Sequence, residues 1–196
     1  MRDVRLPLPS VTRLVVACGL VGLAIVLGGP AADGGEPRPF TARAGLDLAA
    51  DAARTWAADA ELVYLENDEP LAADGTAARW GYLFRSRASG ESRAYTLRDG
   101  RVLEASDLDF DLDAPPLPDT WLDSAAVLAA AEKEAGARFR AAHGGRVGTM
   151  FLIRGALHEK KPDRSTWAVV YTAPDRPNLL VIVDAASGDV VRTWEG

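Results

Sequence analysis

Apolar residues recur at three- and four-residue steps in two stretches of the chain, and this spacing predicts two amphipathic helices. In the first stretch Asp47, Asp51 and Arg54 lie on the opposite, polar face. The second stretch starts where Asp123 or Ser124 can cap a first helical turn, and a glycine pair ends it. The apolar stripes are Leu46, Ala49, Ala53, Trp56 and Ala60 in the first helix, and Leu128, Ala131, Ala135, Phe139 and Ala142 in the second. 

Gly136 interrupts the second predicted helix. Glycine in a helix interior costs roughly 1 kcal/mol relative to alanine, because its backbone loses more freedom. On propensity alone, we therefore expect Gly136 to weaken this helix.

Alternating apolar and polar residues, separated by turn residues, predict about four strands after each helix. Asp99-Gly100 between two such segments is a strong hairpin signal, because a type I′ turn requires positive φ at both central positions. The predicted strands are residues 61–66, 79–87, 93–98 and 101–106 in the first half, and 147–157, 166–173, 179–184 and 189–194 in the second.

One short motif occurs in both halves of the chain. Trp-Gly-Tyr-Leu-Phe at 80–84 returns as Trp-Ala-Val-Val-Tyr at 167–171, and a turn glycine follows each tryptophan after twenty or twenty-one residues. Self-similarity at a fixed offset predicts one supersecondary unit used twice. We expect an α+β fold of two related modules, each one α-helix packed on an antiparallel β-sheet of about four strands. The residues with an expected structural role are Trp80, Trp167, Gly100 and Gly188.

Changes in composition divide the chain into segments. The N-terminus combines three arginines, an uncharged and mostly apolar run at 14–27, and small residues near position 31, which is the order of a secretory signal. An uncleaved membrane anchor is the alternative; in both cases the arginines favour export of the remainder. The predicted segments are a signal peptide or N-terminal membrane anchor at 1–31, a flexible tether at 32–43, a first module at 44–106, an acidic and Pro-rich linker at 107–118, and a second module at 119–196.

Charge restricts the partners that the exported part can bind. Residues 1–31 hold three of the 22 basic and one of the 28 acidic residues, so the remainder has a formal charge of −8. Such a surface repels phosphate backbones, and we expect no nucleic-acid partner and membrane contact only through the N-terminal segment. Cys18 is the sole cysteine, so no intramolecular disulfide can form. We interpret it as one of the apolar residues of the N-terminal segment.

The chain resembles a tandem of PepSY-like modules, which are small helix-plus-sheet units of exported bacterial proteins. Val-Ile-Val-Asp-Ala-Ala-Ser-Gly-Asp-Val-Val at 181–191 is similar to the family's ending of strand, aspartate, turn glycine and strand, and residues 95–102 occupy the corresponding place in the first half. The resemblance covers residues 44–196. It implies extracytoplasmic, non-catalytic roles such as modulating proteases or sensing at the envelope, and it brings no catalytic residues.

The linker contains four aspartates at every second position. On an extended chain they share one face, which could bind a hard cation such as calcium through oxygen ligands. The alternative is a solvated acidic connector, which we favour, and an EF-hand loop is excluded because Leu112 and Pro118 replace its glycine and glutamate. The weak metal candidates are Asp107, Asp109, Asp111 and Asp113.

The remaining residues suggest no catalytic centre. His143 precedes the glycine pair and is expected to interact with a helix C-terminus, while His158 begins a charged loop that is expected to be solvated. There is no Gly-x-Ser-x-Gly elbow, and no glycine-rich phosphate loop follows a predicted strand. We therefore predict no catalytic residues, no metal and no cofactor.

These observations favour an exported protein that is periplasmic, secreted or tethered to the membrane. We expect it to be non-catalytic and to act as a binding or regulatory module of the cell envelope. Its expected partner is a protein or peptide of unknown identity. The competing hypothesis is a small enzyme or ligand-binding protein that uses a cavity between helix and curved sheet. A third is a structural component of the envelope.

Overall fold

Three helices and eight strands make up the part of the chain that the computed structural model describes, namely residues 37–108, 112, 114–158, 161 and 163–196. The helices are α1 (Leu46–Trp56), α2 (Ser124–Ala131) and α3 (Ala137–His143), and a π-helical turn, Glu132–Gly136, joins the last two. The strands are β1 (Ala60–Asn67), β2 (Arg79–Ser86), β3 (Ser92–Arg98), β4 (Arg101–Asp107), β5 (Arg146–Arg154), β6 (Ser165–Thr172), β7 (Leu179–Asp184) and β8 (Val190–Glu195).

The predicted signal or anchor at residues 1–31 lies outside the described residues. Within the described part of the chain, no helix has the length and apolar character needed to cross a membrane. Export therefore stays a prediction.

All eight strands belong to one antiparallel sheet, in the order β4-β3-β2-β1-β5-β6-β7-β8. The predicted fold of two modules, each with its own sheet of about four strands, is therefore wrong, because β1 pairs with β5 and joins the two sets of strands. The physical reason is that an unpaired edge strand exposes a row of backbone donors and acceptors. Tyr64 and Leu65 point to opposite faces of β1 and both are buried, as expected for a central strand.

The pairing between β1 and β5, which we call the seam, is short and is extended at both ends by other groups. At one end the Asn67 side-chain oxygen accepts a hydrogen bond from the Met150 amide at 2.6 Å. At the other end the Leu117 amide donates to the Leu62 carbonyl at 2.7 Å. These groups satisfy backbone atoms that the ladder leaves unpaired. The paired residues are Tyr64 with Ile153, Leu65 with Leu152, and Glu66 with Phe151.

The hydrophobic core runs across the seam and contains both predicted structural tryptophans. Trp80 and Trp167 are 0% exposed, and their ring centroids are 6.5 Å apart in an edge-to-face arrangement. Trp80 Nε1 donates to the Phe40 carbonyl at 2.8 Å, and Trp167 Nε1 donates to the Leu122 carbonyl at 2.9 Å. Each indole thus buries its apolar ring while its N–H is satisfied by the segment that leads into a helix.

A second set of contacts ties the segment before α1 to the start of α2. The buried Ser124 hydroxyl accepts from the Ala42 amide at 3.1 Å and donates to the Gly75 carbonyl at 2.7 Å. Arg43 donates to the Trp121 carbonyl at 2.8 Å, and its guanidinium lies 4.6 Å from the centroid of that ring. Polar groups from the two halves therefore satisfy each other inside one core.

Gly136 lies in the π-helical turn, directly against the ring of Tyr171. A Cβ at position 136 would lie 2.2 Å from the Tyr171 hydroxyl oxygen, which is far inside van der Waals contact. The expectation that glycine merely weakens the helix is therefore wrong, because the close approach of Tyr171 requires a residue without a side chain.

Gly136→Ala is accordingly expected to lower the free energy of unfolding by about 1–3 kcal/mol, the usual cost of overpacking a core. Ala137→Gly is the matched control at the exposed neighbouring position and should cost about 1 kcal/mol through propensity alone. Urea denaturation of both variants measures the two costs. An alanine variant at position 136 as stable as the parent protein would contradict this account of the contact.

Candidate functional site

An open groove lies at the end of the sheet where β1 and β2 meet the linker that follows β4. Its volume is about 460 Å³. β1 and β2 contribute three charged side chains and one valine, and the linker contributes an alanine and two prolines, so the groove combines charged and apolar contacts. Its lining residues are Glu61, Val63, Arg85, Arg87, Gly90, Ala114, Pro115 and Pro116.

One backbone and one side-chain hydrogen bond fix the end of the linker as one wall of the groove. The Leu117 amide bonds to β1 as described for the seam, and Arg154 Nη1 donates to the Pro116 carbonyl at 3.0 Å. Consecutive prolines favour extended chain and have no N–H to satisfy. Residues 114–117 therefore lie beside the strands, and the groove lies between them and β2.

The turn after β2 forms the opposite rim and is held by Asp59. The Asp59 carboxylate accepts hydrogen bonds from the Ala88 amide and the Ser86 hydroxyl, each at 2.8 Å. These donors hold the pKa of Asp59 below its usual range. Gly90 closes the turn with φ +76°, a conformation that glycine adopts without strain. The backbone that carries Arg87 is thus fixed in position.

The charges of the groove are two arginines and one glutamate. Arg87 Nε lies 2.5 Å from Glu61 Oε2, with the two side chains 69% and 37% exposed. Ion pairs this exposed contribute only about 0–1 kcal/mol, so Arg87 can exchange Glu61 for another carboxylate at little cost. Arg85 is half-buried and has an interaction of its own.

The predicted aspartate row is described only at its first member. Asp107 ends β4 and accepts two hydrogen bonds from Arg93, at 2.6 and 2.9 Å. This guanidinium holds the pKa of Asp107 below its usual range. Asp109, Asp111 and Asp113 lie outside the described residues. Elsewhere in the described chain, no group of three or more His, Cys, Asp or Glu side chains could hold a metal ion.

The two histidines lie on different elements and do not form a common site. His143 is the last residue of α3, its ring centroid is 5.2 Å from that of Phe139, and its Nε2 lies 3.4 Å from Arg176 Nη2. His158 lies in the loop after β5 and is only 9% exposed. The described charged residues of this loop, Lys161, Asp163 and Arg164, are exposed as expected for a solvated charged loop, whereas His158 at its start is buried.

The predicted turn glycines lie in the two outer hairpins. Gly100 has φ +70° and its neighbour Asp99 has φ +52°, as the type I′ turn requires. Gly188 has φ +80° in the turn between β7 and β8. Both positions are remote from the groove in the order of the sheet, since β4 and β8 form its edges.

Asp184 organises the turn between β7 and β8 with its side chain. Its Oδ1 accepts from the amides of Ala186 at 2.9 Å and Ser187 at 3.1 Å, and Arg164 Nε lies 3.0 Å from Oδ2. Burial would raise the pKa of Asp184, but these amides and the guanidinium outweigh it and lower the pKa below its usual value. This role of Asp184 was not predicted, although an aspartate four residues before a turn glycine was the available signal.

The groove was not predicted from the sequence. Its charged and apolar walls come from segments that are far apart along the chain, and they meet because the linker folds back to Leu62. The available signals were the proline pair and the two arginines at the end of a predicted strand. Neither signal indicates the other as its neighbour.

No family model and no curated protein matches this chain. Among solved structures, the chain is similar to the crystal structure of a protein from Clostridium difficile 630 described as a "putative lipoprotein". The TM-score is 0.50 and the sequence identity 14%, and the match covers 76% of this chain and 90% of that chain. The likeness concerns the fold.

Asp184→Asn should destabilise the protein at neutral pH by about 1.5–3 kcal/mol, the range for hydrogen bonds to a charged group. Because the folded-state pKa is lowered, the charge stabilises the fold above the unfolded-state pKa of about 3.9, and this contribution is lost as pH falls through the folded-state pKa. Urea unfolding at pH 7 and pH 3 should show a difference between variant and parent that shrinks at the lower pH.

Asp189→Asn is the control for this experiment, since Asp189 is exposed in the same turn and accepts from the Ser187 hydroxyl. It should change stability by less than about 0.5 kcal/mol. Equal effects of the two substitutions at pH 7 would show that the Asp184 carboxylate does not hold the turn.

Proposed function

We propose that the protein is an exported, non-catalytic binding module of the cell envelope and that its groove takes an extended segment of a protein partner. The observation that carries this proposal is the groove itself, with fixed walls and a volume of about 460 Å³. Binding sites of small ligands and short segments are typically concave, largely pre-formed and of about 300–1,000 Å³.

The space between the helices and the sheet is filled by side chains, which supports a binding site elsewhere on the protein. The competing hypothesis needs a cavity between helix and sheet, lined by polar side chains. The positions in question hold large aromatic side chains instead, and Trp80, Tyr82, Trp167 and Tyr171 are each 0% exposed. A ligand is therefore better accommodated at the strand ends, where the groove opens to solvent.

The location at the envelope rests on the N-terminal sequence. Three arginines before the apolar run at 14–27 favour export, whether the segment is cleaved or retained. The Clostridium difficile protein of similar fold is described as a "putative lipoprotein", and this description supports the proposed location. The resemblance of the sequence to PepSY-like modules supports the proposal that the protein regulates the partner that it binds.

Selection of peptides from a random phage-displayed library on the full-length chain, purified in mild detergent, tests the proposal. Peptides should be recovered that bind the parent protein and bind Gly90→Gln at least about tenfold more weakly, because the new side chain occupies the groove. The readout is the dissociation constant of each selected peptide, measured by fluorescence anisotropy.

Gly100→Gln is the matched control for backbone strain. Gly90 and Gly100 both have positive φ, at +76° and +70°, and a Cβ at either position meets nothing within 4 Å. The control should bind the selected peptides like the parent protein. Equal losses in both variants, or no recovered peptide sensitive to Gly90→Gln, would refute the groove as the binding site.

A further inference from the structure

We infer that three arginines at one end of the sheet form a docking surface for the anionic headgroups of a phospholipid bilayer. Arg79, Arg98 and Arg101, which we call the arginine row, lie side by side on β2, β3 and β4, since Arg79 pairs with Arg98 and Arg98 pairs with Arg101. The inference goes beyond the expectation that only the N-terminal segment contacts the membrane. It does not depend on the groove, which lies at the opposite end of β2.

The arginine row is an unfavourable arrangement for the sheet itself. Residues directly opposite each other on antiparallel strands share one face, and like charges in such pairs are destabilising. Neighbouring strands lie about 4.8 Å apart, so the row brings three positive charges together over about 10 Å. Natural sequences break a stability rule of this kind mainly at functional sites. The row therefore calls for a role other than stabilising the fold.

The carboxylates beside the row leave part of its charge without a partner. Glu69 Oε1 lies 3.7 Å from Arg79 Nε and 3.5 Å from Arg98 Nη1, and Asp99 Oδ2 lies 3.7 Å from Arg98 Nε. These contacts are longer than the charge-assisted hydrogen bonds of about 2.7–2.9 Å that arginine forms with carboxylates. The exposed Arg101 has no hydrogen bond or ion pair within the described chain. Two carboxylates thus face three guanidinium groups.

Asp68 is the next carboxylate, and it lies one step further into the sheet. A Cβ at Gly81 would lie 3.2 Å from both Asp68 side-chain oxygens, and the Thr96 hydroxyl donates to Asp68 Oδ2 at 3.3 Å. Gly81 and Thr96 pair with each other next to the row, and Glu104 pairs with Thr96 on β4. Asp68 and Glu104 therefore lie behind the arginine row, away from the end of the sheet.

The described part of the chain begins beside the arginine row. The amide of the exposed Arg38 donates to Asp99 Oδ1 at 2.9 Å, in the turn between β3 and β4. Nine residues, 28–36, separate Pro37 from the apolar run at 14–27. Nine extended residues span at most about 30 Å. A retained anchor therefore tethers the protein by the end of the sheet that carries the row, where Arg38 adds a fourth arginine.

A bilayer that contains anionic phospholipid fits this surface and this tether. Guanidinium groups bind phosphate oxygens through bidentate hydrogen bonds. The attraction of basic side chains to anionic lipid falls off within a Debye length, about 8 Å at physiological ionic strength, so it acts only on groups held near the membrane. The formal charge of −6 opposes the approach of the protein as a whole. Docking is therefore expected through the row, with the tether keeping it close to the headgroups.

Hydrogen exchange of the full-length chain in lipid nanodiscs, followed by mass spectrometry, tests the inference. The amides of Asp99, Gly100 and Arg101 should exchange at least about threefold more slowly in discs with about one third phosphatidylglycerol than in discs of phosphatidylcholine alone, because docking restricts opening of the turn. Salt at about 1 M should remove the difference, since it screens the charges.

Variants of the full-length chain locate the contact. Arg98→Gln combined with Arg101→Gln should abolish the slower exchange. The control, Lys133→Gln combined with Arg138→Gln, removes the same charge at two exposed positions of the π-helical turn and α3 and should retain it. Arg101→Gln alone should weaken the effect and should melt at a temperature no lower than the parent protein, because it removes a like-charged neighbour.

Several results would overturn the inference. Equal exchange in the two kinds of disc would do so, as would loss of the effect in the control variant. The same slowing by inorganic phosphate added to phosphatidylcholine discs would show that the row binds free anions and not the bilayer. A lower melting temperature of Arg101→Gln would show that the row stabilises the fold. The single variant keeps the test decisive if the double variant does not fold.

Discussion

Backbone pairing between β1 and β5 is the interaction on which the rest of this structure depends. Without it the chain would form two separate four-stranded sheets, and β1 and β5 would each be an unpaired edge strand. Three residue pairs form the ladder, and the side chain of Asn67 and the backbone of Leu117 extend it. Trp80 and Trp167, one from each half of the sheet, contact each other edge to face. One core therefore stabilises both halves.

The seam also creates the groove. β5 leaves β1 after Ile153, and the linker takes its place by bonding to Leu62. Residues 114–117 of the linker lie there, and Ala114, Pro115 and Pro116 line the groove beside β1 and β2. Its proline pair cannot complete a sheet ladder, so the linker stays a separate wall. A structural requirement thus leaves an open concavity next to Arg87.

Local structure could be predicted from this sequence, and its long-range assembly could not. Helices and strands lie within a few residues of their predicted positions, because periodicity and turn residues act locally. β1 pairs with residues more than eighty positions away in the chain, which no local pattern indicates. Asn67, which extends this pairing, looks like a turn residue in the sequence. Gly136 was misjudged for the same reason, since Tyr171 decides its surroundings.

The continuity of the sheet across the seam is the central claim, and native-state hydrogen exchange on Trp167→Ala tests it most directly. Truncating a buried tryptophan costs about 3–5 kcal/mol. If the two halves form one cooperative unit, amides of β2 and β3 should lose the same free energy of protection as amides of β6 and β7. Loss of protection confined to β5–β8, with β2 and β3 unchanged, would contradict a single sheet with a single core.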